Sequence, residues 1–242
     1  MIIHVYAICW NEEKMLPFFF EHYDHIADQY YIFDNGSTDK SLSMLRSHPK
    51  VNVEKFDVNG NSLVLSAMEL FNQFWKQSRG KADWVIVCDV DEHFYHFDLR
   101  AYLQKCLSQG ITLVVPCAYE MVSDCFPSKN KPLYETVKHG VRNPFYDKPQ
   151  IFNPNGIQEI NFIPGRHQAH PVGNIITPPI TEVLLLHYKY LGYDYITSRY
   201  STLKQGLRSD DIANGFGSQY LRNNQELLEI YSYLINHAVK VL

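Results

Sequence analysis

Residues 2–9 and 84–88 are nearly unbroken apolar runs rich in β-branched side chains, the pattern of strands buried on both faces. Similar runs at 29–33 and 51–56 predict two more strands. Between these runs the period lengthens. Met15, Leu16, Phe19, Tyr23 and Ile26 recur at helical spacing and predict a helix over 12–27, with Asn11 as its N-cap and Glu12 and Glu13 in its first turn. Pro17 falls in the second turn and offsets the expected start. A turn at 34–39, built on Gly36, leads into a helix over 40–47. Leu65, Met68, Leu70, Phe71, Phe74 and Trp75 lay an apolar stripe along 62–78, a third helix. Strands alternating with helices in this way predict a mainly parallel α/β sheet that binds ligands at the C-terminal ends of its strands.

Beyond residue 95 the pattern shifts. It predicts a helix over 99–107, a strand over 111–119, and then a Pro- and Lys-punctuated stretch to 147 that reads as an ordered loop over the site. Strands at 148–152 and 157–163, joined by a turn, read as partners, and another strand follows at 182–189. The tail is helical, over 193–207 and 217–239, with a short turn around Asp210 and Asp211. These elements divide the chain into an α/β domain over 1–207, with halves 1–95 and 96–207, and a helical extension over 208–242. The apolar face of the last helix, from Leu227 to Ile235, suits either its own domain or a second copy.

With 242 residues, 45% of them hydrophobic, the chain can bury a substantial core. A net charge of −4 and a pI near 6.2 leave no basic footprint, so nucleic acid is not an expected partner. The 5 cysteines have no C-x-x-C spacing, which indicates neither a disulfide framework nor a zinc site and suits a reducing, cytoplasmic setting. No basic leader precedes the first strand, and no apolar run approaches the roughly 18 residues of a membrane span. A membrane contact is therefore expected only as peripheral association at the inner face. The 17 tyrosines, many in the second half, suit a surface that meets rings or sugars.

The chemistry concentrates where the 84–88 run ends. Asp89, Asp91 and Glu92 place three carboxylates within four positions, with Asp89 and Asp91 on one side of an extended chain. Paired carboxylates repel each other and resist dehydration unless a cation sits between them. Oxygen ligands of this kind suit Mg²⁺ or Mn²⁺, which keep positions open for phosphates. Two further polar clusters, Asn11-Glu12 and Asp34-Asn35-Gly36-Ser37, follow the first and second strands. No G-x-G-x-x-G or Walker A loop is present.

In Cys9-Trp10-Asn11-Glu12, Asp34-Asn35-Gly36-Ser37-Thr38-Asp39 and Asp89-Val90-Asp91-Glu92 the sequence resembles family-2-type glycosyltransferases of the GT-A fold, in order and spacing. Lys148-Pro149-Gln150-Ile151, His167 with His170, and His187-Tyr188 resemble the family 2 and family 92 branch. The resemblance spans roughly residues 2–207. It implies a Rossmann-like, mainly parallel sheet flanked by helices, and transfer of a sugar from a nucleotide-diphosphate donor, commonly a UDP-sugar, to a hydroxyl of a glycan or lipid-linked acceptor, with inversion. It further implies that Asn11, Glu12, Asp34, Asn35, Ser37 and Asp89 contact the donor nucleoside, and that Asp89, Asp91 and His187 hold Mn²⁺ or Mg²⁺. Lys148 and Arg166 are candidates to neutralise phosphate. The base is expected after the 111–119 strand, with Asp124 first, then Glu120, then Glu135. Two other readings share the same residues. A nucleotidyltransferase would need a Gly-rich basic loop where Trp10-Asn11-Glu12-Glu13 is acidic, and a non-catalytic carbohydrate-binding domain would have no use for Asp89 and Asp91.

Overall fold

The computed structural model describes residues 1–128 and 131–242. In its first sheet β1 (Ile3–Cys9), α1 (Leu16–Tyr23), β2 (Gln29–Asp34), α2 (Ser41–Ser47), β3 (Val51–Lys55), α3 (Leu63–Gln73) and β4 (Trp84–Val87) follow in the predicted alternation. β1 lies between β2 and β4, and β3 extends the sheet beyond β2, all parallel. Successive side chains of a strand point to opposite faces, and here both faces are covered. Ile3, Val5 and Ala7 of β1 and Trp84 and Ile86 of β4 pack with Phe19 and Tyr23 of α1. Tyr6, Val85 and Val87 pack on the other side with Leu70 and Phe71 of α3. Each such aliphatic or aromatic side chain contributes roughly 1.5–3 kcal/mol by burial, which is why these runs show no polar alternation.

Helix starts follow local chemistry. α1 begins at Leu16, with Pro17 in its first turn where a missing N–H costs nothing. Asn11 is not its cap; residues 12–15 form a separate turn in which Met15 N and Leu16 N both donate to Glu12 O at 2.9 Å. α3 is capped by Ser62, whose Oγ accepts from Leu65 N at 3.0 Å, and it tightens to a 3-10 turn over Phe74–Ser78.

The later elements are β5 (Glu92–Tyr95), α4 (Leu99–Ser108), β6 (Leu113–Val114), β7 (Cys117–Ser123), α5 (Leu133–Thr136), β8 (His139–Arg142), β9 (Ile151–Phe152), β10 (Ile157–Glu159), β11 (Val172–Gly173), β12 (Leu184–Leu191), α6 (Tyr193–Gly206), α7 (Ser209–Ala213), α8 (Asn224–His237) and β13 (Val239–Lys240). The strand expected over 111–119 is divided at Pro116, which lacks a ladder N–H, into β6 and β7. β9 and β6 complete the first sheet, antiparallel to their neighbours. β7 belongs to a second sheet ordered β13-β8-β7-β12-β5. The hairpin expected between 148–152 and 157–163 does not form: β9 pairs with β4 and β6, and β10 pairs with β11. The stretch expected as loop contains α5 and β8; its residues 129 and 130 lie outside the described residues.

The C-terminal segment packs into the body of the domain. Leu227, Tyr231 and Leu234 of α8 are buried against Val122 of β7 and Tyr190 of β12, so this face is met by its own chain. Asp211 of α7 accepts hydrogen bonds from Ser62 Oγ at 2.6 Å, Leu63 N at 2.9 Å and Val64 N at 3.1 Å, anchoring the segment at the start of α3. Among the described residues no helix is long and apolar enough to cross a membrane.

Candidate active site

The ends of β1, β2 and β4 and the middle of the second sheet open on one cleft of about 660 Å³. Its first wall is made by turns. Asn11 adopts a left-handed φ of 54°, which its short polar side chain tolerates. That conformation lets Asn11 Oδ1 accept from Thr38 N at 2.7 Å, while Ser37 Oγ accepts from Asn11 N at 3.0 Å. Asp34 Oδ2 accepts from the N–H groups of Gly36 and Ser37, both at 3.1 Å, and Gly36 supplies the φ of 72° that the turn needs. Asn11, Asp34 and Ser37 therefore lock the two turns to each other, and Asn35 is the member of that group that lines the cleft. Asn11 and Glu12 instead line a smaller adjoining pocket of about 260 Å³, and Glu12 borders both.

Glu12 pairs with Arg199 of α6, whose Nη1 also donates to Trp10 O and Asn11 O, each at 3.0 Å. Burial pushes the Glu12 carboxyl up to about 8 against the pull of Arg199, and Asp91 and Asp89 add to the push. Arg199 lies 187 residues from Glu12, and nothing in its local sequence marks it as part of the site.

The floor of the cleft comes from the second sheet. β12 runs between β5 and β7, and His187 is in register with Glu92 on one side and Glu120 on the other. His187 Nδ1 stands 2.9 Å from Glu120 Oε2, and Nε2 stands 3.5 Å from Asp91 Oδ2. Burial works against a charge on this imidazole, but Glu120 and Asp91 outweigh it and raise the pKa to about 10. The same contacts hold Asp91 and Glu120 below the usual carboxylate range, although burial alone would raise both. Glu120 Oε1 also accepts from Asn143 Nδ2 at 3.2 Å.

Glu92 is fully buried and pairs with Lys148, which is 2% exposed. Its Oε2 accepts from Asp89 N at 2.9 Å and from Gln150 Nε2 at 3.1 Å, so this carboxylate shapes the turn that carries Asp89. Lys148, expected on a phosphate, has its charge matched inside the protein. Asp89 pairs with Arg166, which holds a left-handed φ of 59° and keeps an unpartnered Nη1. The turn at 88–91 replaces the extended path expected from sequence, since Glu92 N donates to Asp89 O at 3.0 Å. Asp89 and Asp91 nevertheless line the same cleft.

The expected bases fall differently. Asp124 is exposed beyond the end of β7 and does not line the cleft, because the strand carries its active face at Glu120, well before its end. Glu120 lines the cleft, but its Oε1 accepts from Asn143 and its Oε2 faces the His187 imidazole. Glu135 is exposed on α5, away from the cleft. His167 lines the cleft and stacks on Phe145 with ring centroids 4.0 Å apart; burial, with Lys148, lowers its pKa to about 4. His170 is exposed in a loop outside the cleft. Sequence reasoning missed Arg199, Asn143, Tyr146 and Lys189, and only the abundance of tyrosine hinted at the aromatic part of the wall.

Among the described residues no group of three or more His, Cys, Asp or Glu side chains is arranged to hold a metal ion. A partial donor set does fit a divalent ion. Glu120 Oε2 and His187 Nδ1 face each other, both buried and without an aligned hydrogen bond. The free ring, with its raised pKa, carries protons on both nitrogens; an ion taking the place of the Nε2 proton would leave Nδ1–H on Glu120, which is how a carboxylate behind a histidine prepares it as a ligand. Two protein ligands would leave the remaining positions to phosphate and water.

No protein-family model matches the chain, and no curated protein matches it. Among solved structures it is similar to S. aureus TarS. The structure of TarS 1-349 in complex with UDP is 16% identical, covers 64% of this chain and 47% of its own, and has a TM-score of 0.40. TarS itself is 13% identical, with coverage of 83% and 40% and a TM-score of 0.43. TarS 1-349 in complex with UDP-GlcNAc is 12% identical, with coverage of 83% and 64% and a TM-score of 0.39. The chain thus spans between 40% and 64% of the lengths of these structures. With likeness this slight, the chemistry has to be argued from the cleft.

Proposed function

We propose that the chain is a nucleotide-sugar-dependent glycosyltransferase of the GT-A type, assisted by Mn²⁺ or Mg²⁺ and transferring a sugar to an acceptor hydroxyl. The observation that carries this reading is the meeting of Asp89 and Asp91, at the end of a parallel strand, with a His187 already backed by Glu120. Asp91 and His187 would hold the ion, and Asp89 would face the donor beside it. The ion would act as a Lewis acid for the departing nucleoside diphosphate. Imidazole in the donor set favours Mn²⁺ over Mg²⁺.

The chain's own groups do the rest. Asn35 and the smaller pocket beside Asn11 and Glu12 receive the nucleoside, with Arg199 fixing the wall between the two spaces. Arg166, whose Nη1 is unpartnered, offers a donor to the diphosphate next to Asp89. Glu120 orients His187, and the proton of the acceptor hydroxyl goes to a carboxylate inside the cleft, where Asp124 does not reach. The acceptor is a glycan or a lipid-linked sugar, and direct displacement inverts the anomeric carbon.

Calorimetry with UDP, with and without Mn²⁺, tests the reading. Wild-type protein should bind UDP only with the metal, and Asp91→Ala should abolish that binding while the chain still folds. UDP binding that ignores Mn²⁺, or that survives in Asp91→Ala unchanged, overturns it.

A further inference from the structure

The cations that line the cleft fall into two groups. Arg199 is paired with Glu12, Arg166 with Asp89 and Lys148 with Glu92, while His187 stands between Asp91 and Glu120. Lys189 and Arg222 line the same cleft, and among the described residues neither has a carboxylate partner. Arg222 is exposed at the rim, where water suffices for it. Lys189 is only 8% exposed.

The surroundings of Lys189 are aromatic. Its Nζ lies 5.0 Å from the ring of Tyr200, 5.3 Å from that of Tyr220 and 5.9 Å from that of Tyr190. Ring faces attract an ammonium but supply no counter-charge. Glu120 is the acid that feels Lys189, and its carboxylate is already divided between His187 and Asn143. An ammonium buried among ring faces at the wall of a cleft, with no carboxylate of its own, is costly unless a ligand brings the missing charge.

We propose that Lys189, caged by Tyr190, Tyr200 and Tyr220, is an anion subsite that takes a phosphoryl group. An ammonium presents three rotatable donors as a compact point charge, which needs no planar partner. The phosphoryl group has two possible sources, the diphosphate of a donor or a phosphate carried by the acceptor. The subsite itself rests on the charge balance of the cleft and not on the transferase reading.

The test uses the full chain and its Lys189→Met variant, titrated calorimetrically with three probes. These are inorganic phosphate, UDP with Mn²⁺, and glucose 6-phosphate against glucose at saturating UDP and Mn²⁺. Phosphate should bind the wild type saturably and bind Lys189→Met about tenfold more weakly or worse. A parallel loss with UDP assigns the subsite to the donor, and a loss confined to glucose 6-phosphate assigns it to the acceptor; either supports the proposal. Absence of saturable phosphate binding in the wild type, or affinities for all three probes unchanged within about twofold in the variant, overturns it. UDP binding that fails in both proteins while phosphate binding still depends on Lys189 rejects the transferase reading and leaves the subsite standing. Thermal unfolding gives a second readout. Without anions Lys189→Met should melt higher than wild type, because it removes an uncompensated buried charge, and saturating phosphate should close that gap. A lower melting temperature for Lys189→Met, restored by Lys189→Arg and insensitive to phosphate, would make the ammonium a structural plug and overturn the proposal.

Discussion

The two sheets bring polar groups to the cleft by different routes. The first delivers them from turns at the ends of β1 and β2, where Asn11 and Ser37 accept from backbone N–H groups of the neighbouring turn and Asp34 from those of its own. The second delivers them from within strands, where Glu92, His187 and Glu120 lie side by side across β5, β12 and β7. Asn11 and Ser37 remain partly exposed, and the buried Asp34 is held by its own turn, so local hydrogen bonds suffice for this wall. Groups within strands are surrounded by core, and their charges must cancel one another at the positions where the sheet register puts them. The turns make an adaptable rim, and the strands make an electrostatic floor that tolerates little change.

Removing one charge from the floor should break this contrast most severely. Lys148→Met keeps the side-chain length but leaves the fully buried Glu92 carboxylate without its closest cation. The expected cost is about 3–5 kcal/mol, as for other broken buried pairs. Urea denaturation measures it directly. A loss within the range of an ordinary surface substitution would show that Arg166 and His187 already neutralise Glu92, and that the floor is more forgiving than its burial indicates.

The same contrast explains what could be read from sequence. In the first sheet each strand carries its own signal, a continuous apolar run, and its polar turn follows at once, so Asp34, Asn35, Asp89 and Asp91 could be found by adjacency. Periodicity says nothing about which distant strand will be a neighbour. The row Glu92, His187 and Glu120 is created by pairing across segments far apart in the chain, and for the same reason β9 pairs with β4 and β6 rather than with the next strand along the sequence. Adjacency also misled: Asp124 follows an apolar run, as Asp89 does, but the face of β7 that meets the cleft is three residues inside the strand's end, at Glu120. Arg199 owes its place to the way α6 packs over the cleft, and Lys189, on β12, owes its aromatic cage to α6 and the segment around Tyr220; periodicity gives the helix and the strand but not these meetings.

A gentler change to the floor separates its charges from its positioning role. Glu120→Gln preserves volume and the contact with Asn143 but no longer offers His187 Nδ1 a carboxylate. Mn²⁺-dependent UDP binding should weaken by about 10–100-fold, the usual range for a residue behind a metal-ligating histidine. Glu120→Asp, which restores the charge with a shorter reach, should recover part of that loss. Unchanged binding in Glu120→Gln would mean that Asp91 and the ligand alone set the geometry of His187.

The smallest expected effect lies on the side of the first sheet. Asp211 is a cap supplied from far along the chain: it accepts from Leu63 N and Val64 N at the positive end of α3 and from Ser62 Oγ, and also from Arg208 N at 3.1 Å. Burial works against its charge, but these donors outweigh it and hold the carboxyl below the ordinary aspartate range. A carboxylate with a depressed folded-state pKa adds stability that is present above its unfolded value, about 3.9, and is lost as the pH falls through the folded value. Asp211→Ala should therefore cost about 1–2 kcal/mol at neutral pH, the range of a lost helix cap, and the difference from wild type should shrink as the pH is lowered into the acid range. Because the donors are backbone N–H groups that water can reach once the segment lifts, the penalty should stay well below that of Lys148→Met. If Asp211→Ala instead proved as damaging as Lys148→Met, the C-terminal segment would be a structural necessity for the first sheet, and the division into a forgiving rim and an unforgiving floor would fail.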